Sequence, residues 1–134
     1  MSPHQTQVRV RYAETDQMGV VYYANYFVWM ELGRSELCRS IGLRYKEMEE
    51  TDGIYLVVVE ATCRYHFPAR YDEEVVVHTS ITESRPKVLR FSYEMTSAET
   101  GRKLASGSTV HVYCGRDMRP CRLPDKYKDV FGQV

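Results

Sequence analysis

The chain has 134 residues and a mass of 15.7 kDa, the size of one compact domain spanning residues 1–134, and long enough to bury a core without disulfide or metal. Hydrophobic residues make up 43% and charged residues 27%, proportions that exclude extensive disorder. Lys plus Arg and Asp plus Glu both number 18, so the chain lacks the basic excess of a nucleic-acid or anionic-membrane binder, and nothing in its net charge opposes self-association.

Residues 8–12 (Val-Arg-Val-Arg-Tyr) alternate between apolar and charged, which predicts a half-buried strand. Turn-prone residues follow from Glu14 to Gly19. From Tyr23 to about Ile41 the period becomes helical, with Phe27, Met30, Leu37 and Ile41 on one stripe and Gly42 placed to end it. Arg44 to Thr51 predicts a short polar helical segment. Four strands are expected after it: Ile54 to Tyr65, ending before Pro68; Val75 through Ile81; Leu89 through Met95; and a last one through Val110, Val112 and Cys114. Glu99-Thr100-Gly101-Arg102 reads as a hairpin turn. The order is strand, long helix, then four strands in hairpin succession. A helix of about 27 Å needs cover along most of its length, and an antiparallel sheet curled around it, an α+β architecture, supplies that cover economically.

Met18 to Met30, the most apolar stretch, is shorter than the roughly 18 apolar residues of a membrane span. The first seven residues lack the pattern of a signal peptide, and the cysteines at 38, 63, 114 and 121 form no C-x-x-C, so a reduced, cytoplasmic setting is expected. The histidines at 4, 66, 78 and 111 do not combine with the cysteines at zinc-ligand spacing, and no metal is expected.

The stretch that carries chemistry runs from Val10 to Tyr26 (Val-Arg-Tyr-Ala-Glu-Thr-Asp-Gln-Met-Gly-Val-Val-Tyr-Tyr-Ala-Asn-Tyr). It places the carboxylate of Asp16 in a loop between a strand and the start of a long helix. The N–H groups and dipole at such a helix start can bind a developing oxyanion. A carboxylate there can act as nucleophile or as general base, and it can equally serve as a turn or cap residue.

The wording of this stretch closely resembles the active-site motif of the 4-hydroxybenzoyl-CoA thioesterase-like branch of the hot-dog superfamily. The resemblance rests on Thr15-Asp16, the Gly19-Val20-Val21-Tyr22-Tyr23 run and Ala24-Asn25-Tyr26, and extends to Arg64 through Asp72. It implies a hot-dog fold, a long central helix wrapped by a curved antiparallel sheet, and an acyl-CoA thioesterase that needs no cofactor. By that resemblance Asp16 matches the catalytic carboxylate, Tyr23 the residue whose backbone N–H contributes to the oxyanion hole, and Gly19 a position in the tight loop. Glu14 stands where Asp or His is more usual, Met18 where a small residue is more usual, and Tyr23 replaces a His of some members. The resemblance also implies a homo-oligomer, a tetramer built from sheet-sharing dimers, with clefts at subunit boundaries.

Other residues carry weaker signals. Tyr22, Tyr23 and Tyr26 are candidates for an acyl pocket, as rings with one wet end, and also for core or interface positions. Among Arg64, Arg70, Arg85, Lys87 and Arg90, Arg70 and Lys87 are the candidates for coenzyme A phosphates, within one chain or across a subunit boundary, and the others read as solvated sheet edge. Glu31 and Glu36 read as solvated helix charges, Glu31 also as a residue behind the site; His66 and His111 are general-base candidates that read better as structural histidines, since no Ser or Cys nucleophile motif accompanies them. Two rivals are a dehydratase of the same fold acting on 3-hydroxyacyl thioesters, which would need a paired acid and base in the cleft whereas no His accompanies Asp16 in the motif, and a non-catalytic thioester or acyl-carrier-protein binding module.

Overall fold

Polar residues at the N-terminus form more of the first strand than their hydropathy suggests. The computed structural model describes residues 3–131. Its first strand, β1, spans His4–Arg9 rather than 8–12, with His4, Thr6 and Val8 turned partly inward and Gln5, Gln7 and Arg9 exposed. The strand ends early because Val10 leaves it to bond the segment before β3: Val10 N–H donates to Glu73 O at 2.9 Å and Asp72 N–H to Val10 O at 3.0 Å. A 3-10 turn, Tyr12–Glu14, then redirects the chain.

The long helix, α1, covers Asn25–Ser40. Tyr26, Trp29, Met30, Gly33, Leu37 and Cys38 are its buried positions, spaced to form one face. Gly42, at φ +88°, lets the chain reverse while Leu43 N–H caps the Cys38 carbonyl at 2.8 Å. A single helical turn, α2 (Tyr45–Glu47), and a π turn, Met48–Asp52, follow.

The remaining strands are β2 (Tyr55–Tyr65), β3 (Glu74–Ser84), β4 (Val88–Ser97) and β5 (Lys103–Cys114). They form one antiparallel sheet with β1, in the order β1-β3-β4-β5-β2. The expectation of hairpin succession therefore holds for β3-β4 and β4-β5 only. β2 pairs with β5, and the connection 66–73 crosses the start of α1 to deliver β3 beside β1. That connection is held by Val21 N–H donating to Ala69 O at 2.8 Å and by the Val10 bonds. The crossover leaves β1 and β2 as the two sheet edges.

The core lies between α1 and the inner face of the sheet, where Val75, Val77, Leu89, Phe91, Tyr93, Met95, Leu104 and Tyr113 are buried. A C-terminal turn, Asp125–Tyr127, and a short helix, α3 (Lys128–Phe131), close the end away from β1. Phe131 is buried against Tyr113, and Lys126 Nζ pairs with Asp52 at 2.7 Å. Among the described residues no helix is long and apolar enough to cross a membrane.

Candidate active site

Asp16 begins a four-residue turn that Gly19 closes. Asp16 N–H donates to Val20 O at 2.8 Å and Gly19 N–H to Asp16 O at 2.9 Å. Gly19 takes φ +81°, which a Cβ would strain. The carboxylate Oδ1 accepts the Met18 N–H at 2.9 Å, so the side chain of Asp16 is held by its own turn. Around the turn Thr15 pairs with Val21 as an antiparallel bridge, and Val20 pairs with Arg70.

The chain then enters α1. Tyr22 N–H donates to Glu14 O at 2.9 Å, Asn25 N–H to Tyr22 O at 2.9 Å and Tyr26 N–H to Tyr23 O at 3.4 Å. Among the described residues, the N–H groups of Tyr23 and Ala24 have no hydrogen-bond acceptor. They are the free donors of the helix start.

Asp16 and Tyr23 line one cleft of about 250 Å³. Met18 and Tyr26 line it as well, together with Tyr65 at the end of β2 and His66 and Phe67 just after it. Tyr65 ties the walls together: its hydroxyl donates to Tyr23 O at 2.9 Å, and its ring meets those of Tyr23 and Tyr26 edge-on at 6.4 and 5.1 Å. Tyr26 is buried and its hydroxyl accepts the Ala69 N–H at 3.2 Å. Burial raises the pKa of the Tyr26 and Tyr65 phenols, so both stay neutral hydrogen-bonding groups.

The structure thus brings Asp16, Gly19, Tyr23 and Tyr26 together. Tyr22 is exposed beside Tyr23, ring centroids 4.7 Å apart, and its phenol is raised mainly by the Tyr23 hydroxyl. Arg70 Nη1 stands 4.0 Å from where a Gly19 Cβ would lie, at the edge of the same turn. Lys87 sits in the β3–β4 turn at the opposite end of the sheet. The registers place that turn near Val112 and the cleft near Ala105, a separation of about 23 Å along β5. Arg85 and Arg90 pair with Glu83 at 2.9 and 3.5 Å, and Glu36 pairs with Arg39, so these are surface pairs; Glu31 is exposed and does not line the cleft.

The two histidines differ. His111 is a buried core residue, its Nε2 2.8 Å from Thr109 Oγ1. His66, also read as structural, lines the cleft with its Nε2 2.9 Å from Ser106 Oγ. Sequence reasoning missed Tyr65 and Phe67 as cleft residues, because an aromatic at a strand end signals only packing. It also gave Glu14 no role beyond a departure from the motif. Glu14 is 6% exposed, and its carboxylate accepts hydrogen bonds from both Arg11 N–H and Trp29 Nε1–H. The single tryptophan of the chain, whose N–H needs a partner when buried, was the available signal.

Comparison with known proteins agrees with this geometry. The family model of the Thioesterase-like superfamily matches residues 10–131. The YneP protein of Bacillus subtilis (strain 168) is 49% identical over 77 residues, which cover 58% of this chain and 55% of that protein. The acyl-CoA thioester hydrolase YbgC of Escherichia coli O157:H7 is 33% identical over 128 residues, 94% of this chain and 93% of that one. The crystal structure of a DHNA-CoA thioesterase from Staphylococcus aureus superposes with a TM-score of 0.94 at 30% identity, covering all of this chain and 91% of that one. With the helix wrapped by its antiparallel sheet, the motif loop at the helix start and the match across residues 10–131, the chain belongs to the Thioesterase-like superfamily, with the hot-dog fold.

Proposed function

We propose that this protein is an acyl-CoA thioesterase that hydrolyses a thioester to a carboxylic acid and free coenzyme A. The observation that carries the reading is that Asp16 lines one cleft with Tyr23, whose N–H at the start of α1 has no acceptor among the described residues. The carbonyl oxygen of the thioester sits against the Tyr23 N–H, where the helix dipole favours the charge that develops in the transition state. Asp16 works on the carbonyl carbon in one of two ways. As a nucleophile it forms an acyl–aspartyl anhydride as the C–S bond breaks and the thiolate leaves, and water then opens the anhydride. As a general base it takes a proton from water, whose oxygen attacks the carbonyl carbon directly, and the tetrahedral intermediate collapses with cleavage of the C–S bond and loss of the thiolate. Neither route calls for a metal or redox cofactor. The names of YbgC and of the Staphylococcus aureus structure support a coenzyme A thioester as substrate.

In this reading Tyr26 and Met18 bound the acyl group, Tyr22 its entrance, and Gly19 keeps the turn open beside it. Arg70 offers its guanidinium to a coenzyme A phosphate at the cleft edge. Lys87 reaches a cleft only when a second copy brings it there, in the homotetramer we propose. The enzyme acts in the cytoplasm.

Asp16→Asn tests the reading cleanly, because the amide Oδ1 can still accept the Met18 N–H while the charge is gone. kcat for thiol release from an acyl-CoA panel is expected to fall at least about 10²-fold with the unfolding midpoint little changed. Full turnover in the folded variant would refute the role. With enzyme in excess in ¹⁸O-water, label on Asp16 decides for the nucleophile. The alternative, a binding module for thioesters or acyl carrier protein, predicts no steady thiol release by the wild type on either carrier.

A further inference from the structure

The turn that carries Asp16 and the helix α1 that begins just after Tyr23 are separate pieces of backbone, and one residue grips both. Glu14 ends the 3-10 turn two residues before Asp16. Its carboxylate Oε1 accepts the Arg11 N–H at 2.8 Å, closing the turn from behind, and Oε2 accepts Trp29 Nε1–H at 2.9 Å. Its carbonyl accepts Tyr22 N–H at 2.9 Å and Asn25 Nδ2–H at 2.8 Å. Asn25 and Trp29 are four residues apart and lie on the same face of α1. Glu14 therefore clasps α1 at two successive turns, through its main chain at the first and its side chain at the second.

The side-chain half of this joint is costly, since Glu14 is 6% exposed and Trp29 2%. Burial alone would raise the Glu14 pKa. The hydrogen bonds from the Arg11 N–H, Trp29 and the Arg11 guanidinium, with the latter's charge, outweigh that effect and hold it below the usual carboxylate value. The group is thus ionised, with both oxygens committed to donors. A fold that needed only a filled core here would be served by an apolar residue, because a buried charge is seldom the cheapest filling. What the carboxylate adds is direction: two fixed donors define where the turn stands against the helix.

We propose that Glu14, through Trp29, is the positioning residue of this site, setting the distance and angle between the Asp16 carboxylate and the free N–H groups at the start of α1. The proposal rests on the reading of Asp16 as the reacting carboxylate. A loosened joint leaves the cleft walls in place but misaligns two groups that act on the same carbonyl. Such misplacement costs turnover far more than binding.

Trp29→Phe keeps the buried ring, which meets Tyr26 edge-on at 5.0 Å, and removes only the donor. Glu14→Gln keeps the shape but offers one acceptor and one donor to two donors. For each variant kcat per folded enzyme, the folded fraction being taken from urea unfolding, is expected to fall at least about 10-fold with KM within about twofold. The double variant should turn over no more slowly than Glu14→Gln alone, because Trp29→Phe removes the indole donor that the new amide would face. Asp16→Asn runs beside them. If Asp16→Asn is inactive while Trp29→Phe keeps full kcat, or loses only what its unfolded fraction explains, the positioning role is overturned and the reading of Asp16 stands. If Asp16→Asn keeps its activity, both fall. Should Glu14→Gln fail to fold, the KM and kcat of Trp29→Phe decide alone.

Discussion

Burial holds the His111 imidazole at a pKa of about 4, with the Arg34 guanidinium pushing in the same direction, against 6.5 for an exposed histidine. The unfolded chain therefore takes up a proton as pH falls through about 6.5, whereas the folded chain does so only near 4. Stability from this residue is intact above 6.5 and declines through that window. Between pH 7 and pH 5 the loss is about 2 kcal/mol. Urea unfolding at the two pH values measures it, and His111→Asn should flatten the difference. An equal slope in both proteins would show that other groups carry the pH dependence. The same scale shows what could be read without the structure. Asp16, Gly19 and Tyr23 could be nominated from sequence because a contiguous motif carries them, and the structure places Asp16 and Tyr23 at one cleft. Glu14 could not be, because its partner Trp29 lies 15 residues along, and only packing brings the indole to the carboxylate.

Among the elements, α1 was legible almost to the residue, from its apolar period and Gly42. β1 was not, because His4 and Thr6 face inward and erase the hydrophobic alternation there. The β2–β3 crossover was equally hidden: strand patterns are the same whether neighbours in sequence pair or not, and the choice is made by the bonds of residues 66–73 to the helix start. Gly33 is the contact that sets how closely α1 lies on the sheet. A Cβ there would stand 2.5 Å from Thr79 Oγ1 and 2.9 Å from Val77 Cγ1. Both neighbours are fully buried and β-branched, with little freedom to rotate. Gly33→Ala would gain about 1 kcal/mol of helix propensity and lose more by overpacking. The expected net destabilisation is about 1–2 kcal/mol, read from the urea midpoint, and a midpoint unchanged or raised would show that α1 can shift away from β3 without cost.

For the whole molecule the exposed edge of β2 matters most. Among the described residues this strand bonds β5 on one side and no strand of the same chain on the other, and it carries Val57-Val58-Val59 in mid-course. Val58 and Val59 are 44% and 56% exposed, and the pairing slips between Val58 and Glu60. Open N–H and C=O groups beside exposed valines invite another strand, and a soluble chain normally guards such an edge with charge or a covering element. With a formal net charge of zero, long-range repulsion does not oppose the pairing. The homotetramer proposed for this chain would use the edge by joining the β2 strands of two copies into one continuous sheet. Light scattering at micromolar concentration should then give a mass near four times 15.7 kDa, and a value near 15.7 kDa would refute the assembly. Val59→Lys puts a solvated charge on the shared edge and should lower the mass, with specific activity falling in step, because each cleft stands at a subunit boundary in that arrangement. A monomeric Val59→Lys protein with full turnover would instead place the whole catalytic apparatus within one chain, and Lys87, about 23 Å from the cleft along its own sheet, would then have no route to the substrate.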